Sequence, residues 1–253
     1  MIKYVRQAWL VLVLTAFFGG ALAGVHVGLS PIIEANKKRE ILGNVPRFIT
    51  GYREASAAIK KGNVKVSPGR GLVEVLLGEG EQRAFAVSEA KALDLSGGAG
   101  KYTVYQVKDA GKNTVEGYVI RTKGQGFADV IEILVGYGPG GMKLTGIYVL
   151  SQKETPGVGN KIEKPKFTGQ FDGIPVGKLI RDAKTGATAG GKQVLKIVKQ
   201  GKGSRMEGKI DAISGATVSS RAVVKIVNEA VEAIIEDWNA GKLMEFEYPE
   251  KKQ

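Results

Sequence analysis

Lys209 to Trp238 reads KIDAISGATVSSRAVVKIVNEAVEAIIEDW, and its reading decides how the second half of the chain folds. Residues 209–213 alternate like a short strand. After them Val223, Ile226, Val227, Ala230, Val231, Ile234, Ile235 and Trp238 recur at spacings of three and four. That period predicts an amphipathic helix over about 218–239, with Gly241 as its stop. Between strand and helix stands Ser214-Gly215-Ala216-Thr217. A helix start presents N–H groups without intrahelical acceptors and a partial positive charge, which together receive phosphate. Small residues at 215 and 216 let a bulky group approach the backbone, and Ser214, Thr217, Ser219 and Ser220 add hydroxyls. The same residues also suit plain capping, with Ser214 or Thr217 as N-cap, a contribution of ~1 kcal/mol. On the residues alone both readings stand.

A second GAT lies upstream in KTGATAGGKQ, Lys184 to Gln193. Gly186 to Lys192 fits GxxxxGK, but the next residue is Gln193 where a phosphate loop needs Ser or Thr for magnesium. QVLKIVK then alternates like a strand, where a helix should follow. This copy reads as a Gly-rich hairpin loop, and Thr188 is not expected to react.

Short β-type runs fill the middle of the chain: Leu72–Leu77, Tyr102–Val107, Val115–Arg121, Val130–Tyr137, Lys143–Leu150, Val194–Lys199 and Lys209–Ile213. GYVIRT, DVIEILVGY and MKLTGIYVL form an antiparallel meander, with Gly138-Pro139-Gly140-Gly141 as its second turn. Ser151 to Gln170, with Pro156, Gly157, Gly159 and Pro165, reads as a long loop, of a length that is functional or disordered in a compact domain. Strands do not alternate with helices, so the class is α+β with an antiparallel sheet.

Ala8 to Leu29 carries no charged side chain apart from His26, with Lys3 and Arg6 ahead of it. At ~1.5 Å per residue it matches a bilayer's hydrocarbon thickness. It reads as a transmembrane anchor with a cytoplasmic N-terminus. Ala21-Leu22-Ala23 offers the competing pattern of a cleaved signal. Either reading puts the main domain outside the cytoplasm. Glu34 to Lys61 follows as a helical connector, broken around Gly43 to Pro46. The expected layout is an anchor over 1–30, a connector and membrane-proximal α/β region over 31–110, a ligand-binding domain over 111–240 and a polar tail over 241–253.

The 253 residues contain no cysteine and a single histidine, inside the apolar run. Disulfides, thiol chemistry and a soluble histidine-based site are thereby excluded. The net charge of +12 suits an anionic membrane surface or an acidic partner. The basic residues are dispersed and lack aromatic interleaving, so nucleic acid is not expected.

DAISGATVSS resembles the S/T-G-A-T-x-S/T signature of the FMN-binding domains in the Rnf and Na⁺-translocating NADH:quinone reductase complexes. SQKETPGVGNKIE, Ser151 to Glu163, is similar to the family's HKETPGLG loop, with Gln152 in place of the usual His and Val158 in place of Leu. GYVIRTKGQGFADVIEILVGY adds Gly124, Gly126 and Phe127. The resemblance implies covalent FMN, joined by a phosphoester to Thr217 and installed from FAD by a magnesium-dependent flavin transferase. It places Ser214, Gly215, Ala216, Ser219 and Ser220 around the phosphate. Glu154, Thr155, Pro156, Gly157 and Gly159 would lie beside the flavin ring, with Thr155 Oγ or backbone N–H groups offered to it. It implies an electron-transfer subunit without an independent catalytic site or a metal, docked to other membrane subunits of one redox complex. The location would be the bacterial cytoplasmic membrane, single-pass, with the main domain on the extracytoplasmic side. The G-type subunit of an Rnf complex is the favoured member and the C-type subunit of the quinone reductase the alternative. A non-redox envelope protein binding an acidic partner is the rival of another class.

Overall fold

The computed structural model describes residues 2–49, 58–59, 61–76, 82–89, 102–139, 143–176 and 194–239. The second GAT with Thr188, the tip of the Gly138–Gly141 turn and the polar tail lie outside the described residues. The chain divides into two units, residues 1–40 and 41–253.

The first unit is formed by most of α1, Ile2–Asn44. Residues 11–29 are exposed all round the helix, though nearly all are apolar. The helix is long and apolar enough to cross a membrane. Two of its hydroxyls are satisfied within the helix. Thr15 Oγ1 donates to the Val11 carbonyl at 2.8 Å and Ser30 Oγ to that of His26 at 2.7 Å. Such back-bonding suits a helix with no water beside it.

The second unit is built on seven antiparallel strands that pair in chain order. They are β1 (Val64–Ser67), β2 (Leu72–Leu76), β3 (Gln82–Glu89), β4 (Thr103–Asp109), β5 (Val115–Gln125), β6 (Val130–Tyr137) and β7 (Leu144–Ser151). The expected meander is present as β5–β6–β7. β1 and β3 were not expected, and they extend the same sheet through β2 and β4. The central strands are apolar on both sides because both faces are covered. Ile120, Ile133 and Val135 face a core shared with Val223, Ile226, Val227 and Val231 of α4, Thr217–Asn239. Val119 and Leu134 face the opposite core, with Ile41, Leu42 and Val45 from the end of α1 and Phe48 from α2, Pro46–Ile49. Each fully buried side chain of this kind contributes ~1.5–3 kcal/mol relative to exposure. The expected helix break falls between Asn44 and Pro46, where proline suits a first helical position.

The segment read as a long loop is instead a compact crossing. It contains a 3-10 turn at Gly159–Glu163, the short helix α3 (Pro165–Thr168) and a 3-10 turn at Gly169–Phe171. Ile162, Phe167 and Phe171 anchor it in the α4-side core. Pro and Gly punctuation concealed these three apolar anchors. β8 (Lys196–Val198) and β9 (Lys209–Asp211) form a separate parallel pair. Two side-chain amides fasten this pair to the rest. Asn228 accepts from Leu195 N–H at 2.8 Å and donates to its carbonyl at 2.9 Å. Gln170 accepts from Asp211 N–H at 2.7 Å and donates to its carbonyl at 3.3 Å. β9 is thereby held where it runs into the turn before α4.

Candidate functional site

Ile213 to Ala216 is a tight turn closed by Ala216 N–H donating to the Ile213 carbonyl at 2.9 Å. Gly215 has φ +80°, which residues with a Cβ rarely adopt. α4 starts at Thr217, so the N-cap is Ala216, whose carbonyl accepts from Ser220 N–H at 3.0 Å. Neither Ser214 nor Thr217 caps the helix, which corrects the capping reading. Ser220 does the local fastening instead. Its buried hydroxyl receives Ile213 N–H at 3.0 Å and donates to the Ala216 carbonyl at 2.9 Å. Thr217 is exposed, and among the described residues its hydroxyl has no hydrogen-bond partner. The N–H groups of Thr217, Val218 and Ser219 likewise have no acceptor there. Three unpaired donors and a free hydroxyl therefore share one turn, at the positive end of a helix dipole.

The Glu154–Gly159 loop lies against this turn. A Cβ on Gly215 would sit 3.7 Å from Val158 Cγ1. Glu154 is only 3% exposed, and its carboxylate joins three segments. Oε1 accepts from Phe127 N–H at 2.9 Å and from Ala128 N–H at 3.0 Å. Oε2 accepts from the Ser219 hydroxyl in the first turn of α4. Two glycines make the room. A Cβ on Gly159 would lie 2.8 Å from Glu154 Cβ and 3.0 Å from Ser219 Oγ, and one on Gly126 would overlap Glu154 Oε1. Gln152 takes part as well: its Oε1 accepts from Glu154 N–H at 2.6 Å, and its Nε2 donates to Glu163 at 3.3 Å.

Thr155, Pro156 and Gly157 are exposed at the loop's tip. The Thr155 carbonyl closes the loop by accepting from Val158 N–H and Asn160 N–H, both at 3.2 Å, and Gly157 takes φ +74°. Lys153 pairs with Asp129 at 3.0 Å. The Asp129 carboxyl is held below its usual range first by Val130 N–H and then by Lys153. Phe127 (65% exposed), Val218 (52%) and Val158 (38%) supply apolar surface on the segments that Glu154 and the turn bring together. Val218 was not singled out from the sequence, because one valine between Thr and Ser carries no periodic signal.

A hydroxyl on an anion-receiving turn, with apolar side chains nearby, fits a phosphorylated aromatic cofactor. The chain belongs to the FMN-binding domain family. The family's model, described as "FMN-binding domain", matches residues 126–232, from the Glu154-bound turn to α4. The G-type subunit of the ion-translocating oxidoreductase complex of Methanosarcina acetivorans is 35% identical over 130 residues, 51% of this chain and 57% of that protein. The chain thus spans little over half the length of that relative. The C-type subunit of the Na⁺-translocating NADH-quinone reductase of Neisseria meningitidis is 30% identical over 212 residues, 77% of this chain and 76% of that protein. The crystal structure of the corresponding reductase subunit from Parabacteroides distasonis has the same fold at 18% identity, with TM-score 0.52 over 82% of this chain and 96% of that one.

Proposed function

We propose that this chain is the FMN-carrying electron-transfer subunit of a membrane-bound, ion-translocating oxidoreductase complex of the Rnf type, with the flavin joined to Thr217 Oγ. The observation that carries the reading is the Thr217 hydroxyl, without a partner among the described residues, on a helix turn whose first N–H groups lack acceptors there. A flavin transferase would break the phosphoanhydride of FAD. The new P–O bond forms to Thr217 Oγ, the hydroxyl proton departs and AMP leaves. Val218 N–H and Ser219 N–H would then donate to the phosphodiester, and Gly215 and Ala216 would leave it room. Ser214 lends a hydroxyl at the rim, while Ser220 keeps the turn closed. Thr155 to Gly157, with Val158, would flank the ring. The bound FMN supplies reversible electron transfer, and the protein supplies attachment, orientation and exclusion of water.

In this reading residues 1–30 anchor the chain, 31–110 connect, 111–240 carry the flavin on the extracytoplasmic side of a bacterial cytoplasmic membrane, and 241–253 form the tail. The partners are other membrane subunits of the complex, which pass electrons to and from the flavin. A second reading, the C-type subunit of the quinone reductase, is favoured by the longer alignment with the Neisseria protein. Co-purification of the intact complex separates the two by the identity of the companion proteins. Flavin attachment is tested by co-expression with a flavin transferase and fluorescence in a denaturing gel. A fluorescent band is expected, lost in Thr217→Ala and kept in Thr188→Ala. A dark wild-type band would favour the non-redox envelope protein.

A further inference from the structure

The Glu154 carboxylate reaches from a loop 65 residues upstream to Ser219, two residues beyond Thr217. It is an unusual strut. One oxygen holds the Phe127–Ala128 turn by two backbone N–H groups, and the other receives the Ser219 hydroxyl. Nothing else among the described residues bonds the Ser219 side chain. Ser219 occupies the third position of α4, and its partner is an anion near the positive end of the helix, so dipole and hydrogen bond act together. Gly126 and Gly159 both stand where a Cβ would collide with this side chain, so the packing is built around it. Because the Ser219 and Thr217 side chains leave the same helical turn, restraining one restrains the direction of the other.

We propose that the Glu154–Ser219 contact is a positioning device that fixes the first turn of α4, and with it Thr217 Oγ, for flavin transfer. Glu154 and Ser219 are positioning residues, and neither touches the phosphoryl group undergoing transfer. The part concerning flavin transfer rests on the function proposed above; the fixing of the turn does not.

The test uses the full chain in two arms. In the first, flavin transferase and FAD are added to wild type, Ser219→Ala, Ser219→Thr, Glu154→Ala and the double alanine variant, and the rate of fluorescent labelling is read. A hydrogen bond to a buried charge predicts that either alanine slows labelling about tenfold. Ser219→Thr, which keeps the hydroxyl, restores the rate. The double variant is no slower than the slower single one, because the two residues form one contact. Ser219→Ala labelled at the wild-type rate, or single effects that multiply, would overturn the proposal. The second arm needs no flavin. Amide hydrogen exchange at Phe127, Ala128, Ala216 and Ser220, whose N–H groups are all hydrogen-bonded, is compared between wild type and Ser219→Ala. Exchange faster by about tenfold there, with β5 and β6 unchanged, is expected if the contact holds the turn. Unchanged exchange overturns the proposal even if labelling slows. A wild-type chain that takes up no flavin refutes attachment at Thr217, while the exchange arm still decides whether the contact fixes the turn.

Discussion

Two carboxylates in this molecule do the same elementary thing in different settings. Asp109, at the end of β4, accepts from Gly111 N–H and Lys112 N–H, both at 2.9 Å, and shapes the turn into β5. Glu154 accepts from Phe127 N–H and Ala128 N–H at similar distances, but those amides lie 27 and 26 residues away. Asp109 shapes its own turn and beyond it makes a loose ion pair with Arg83 of β3 at 3.7 Å. Glu154 is buried and joins the β5–β6 turn, the 154–159 loop and the start of α4. The difference separates a local folding signal from a long-range one that assembles a site.

The largest effect is expected from Glu154→Ala. It leaves two backbone N–H groups and the Ser219 hydroxyl without their buried anion, a loss of ~3 kcal/mol or more. Thermal or urea unfolding measures it, and a change below about 1 kcal/mol would reduce Glu154 to the rank of Asp109. Gly159→Ala comes next. Its Cβ would press on Glu154 Cβ at 2.8 Å, an overpacking cost of ~1–3 kcal/mol, together with slower flavin labelling. Asp109→Asn is the smallest. The Asp109 carboxyl is held below its ordinary range by the Lys112 and Gly111 amides, and then by the Arg83 charge. A depressed carboxyl pKa stabilises above the unfolded value, and that stabilisation fades as pH falls through the folded value. The melting-temperature gap between wild type and Asp109→Asn should therefore be present at neutral pH. It should close as pH falls below about 3.9, the unperturbed aspartate value. A gap constant across that window would show that the charge has no part in the turn.

The same contrast explains what could be read from the sequence. β6 spans Val130–Tyr137, as the apolar run DVIEILVGY predicted, because burial on both faces leaves a continuous signal. β5 continues past Arg121 to Gln125, where the polar Thr122-Lys123-Gly124-Gln125 pairs with β6 through its backbone and leaves no apolar trace. β3 escaped notice because Ala84 and Ala86 dilute its alternation. The crossing at 151–170 looked structureless because Pro and Gly outnumber its three anchors. At the site, the strand-to-helix turn with its small residues and hydroxyls was legible from the sequence. That Ala216 is the N-cap, that Ser220 closes the turn and that Ser219 meets Glu154 are tertiary facts. Glu154 and Ser219 were each named from the motifs they sit in, but no spacing rule connects residues 154 and 219.

Flavin attachment at Thr217 is tested most directly by fragmentation mass spectrometry of the tryptic peptide Ile210–Arg221, taken from the chain after co-expression with a flavin transferase. The peptide holds Ser214, Thr217, Ser219 and Ser220, so the fragments assign the modified hydroxyl. An FMN phosphoryl group on Thr217, with the other three hydroxyls unmodified, is the predicted result. An unmodified peptide, or flavin on any other residue, would contradict it.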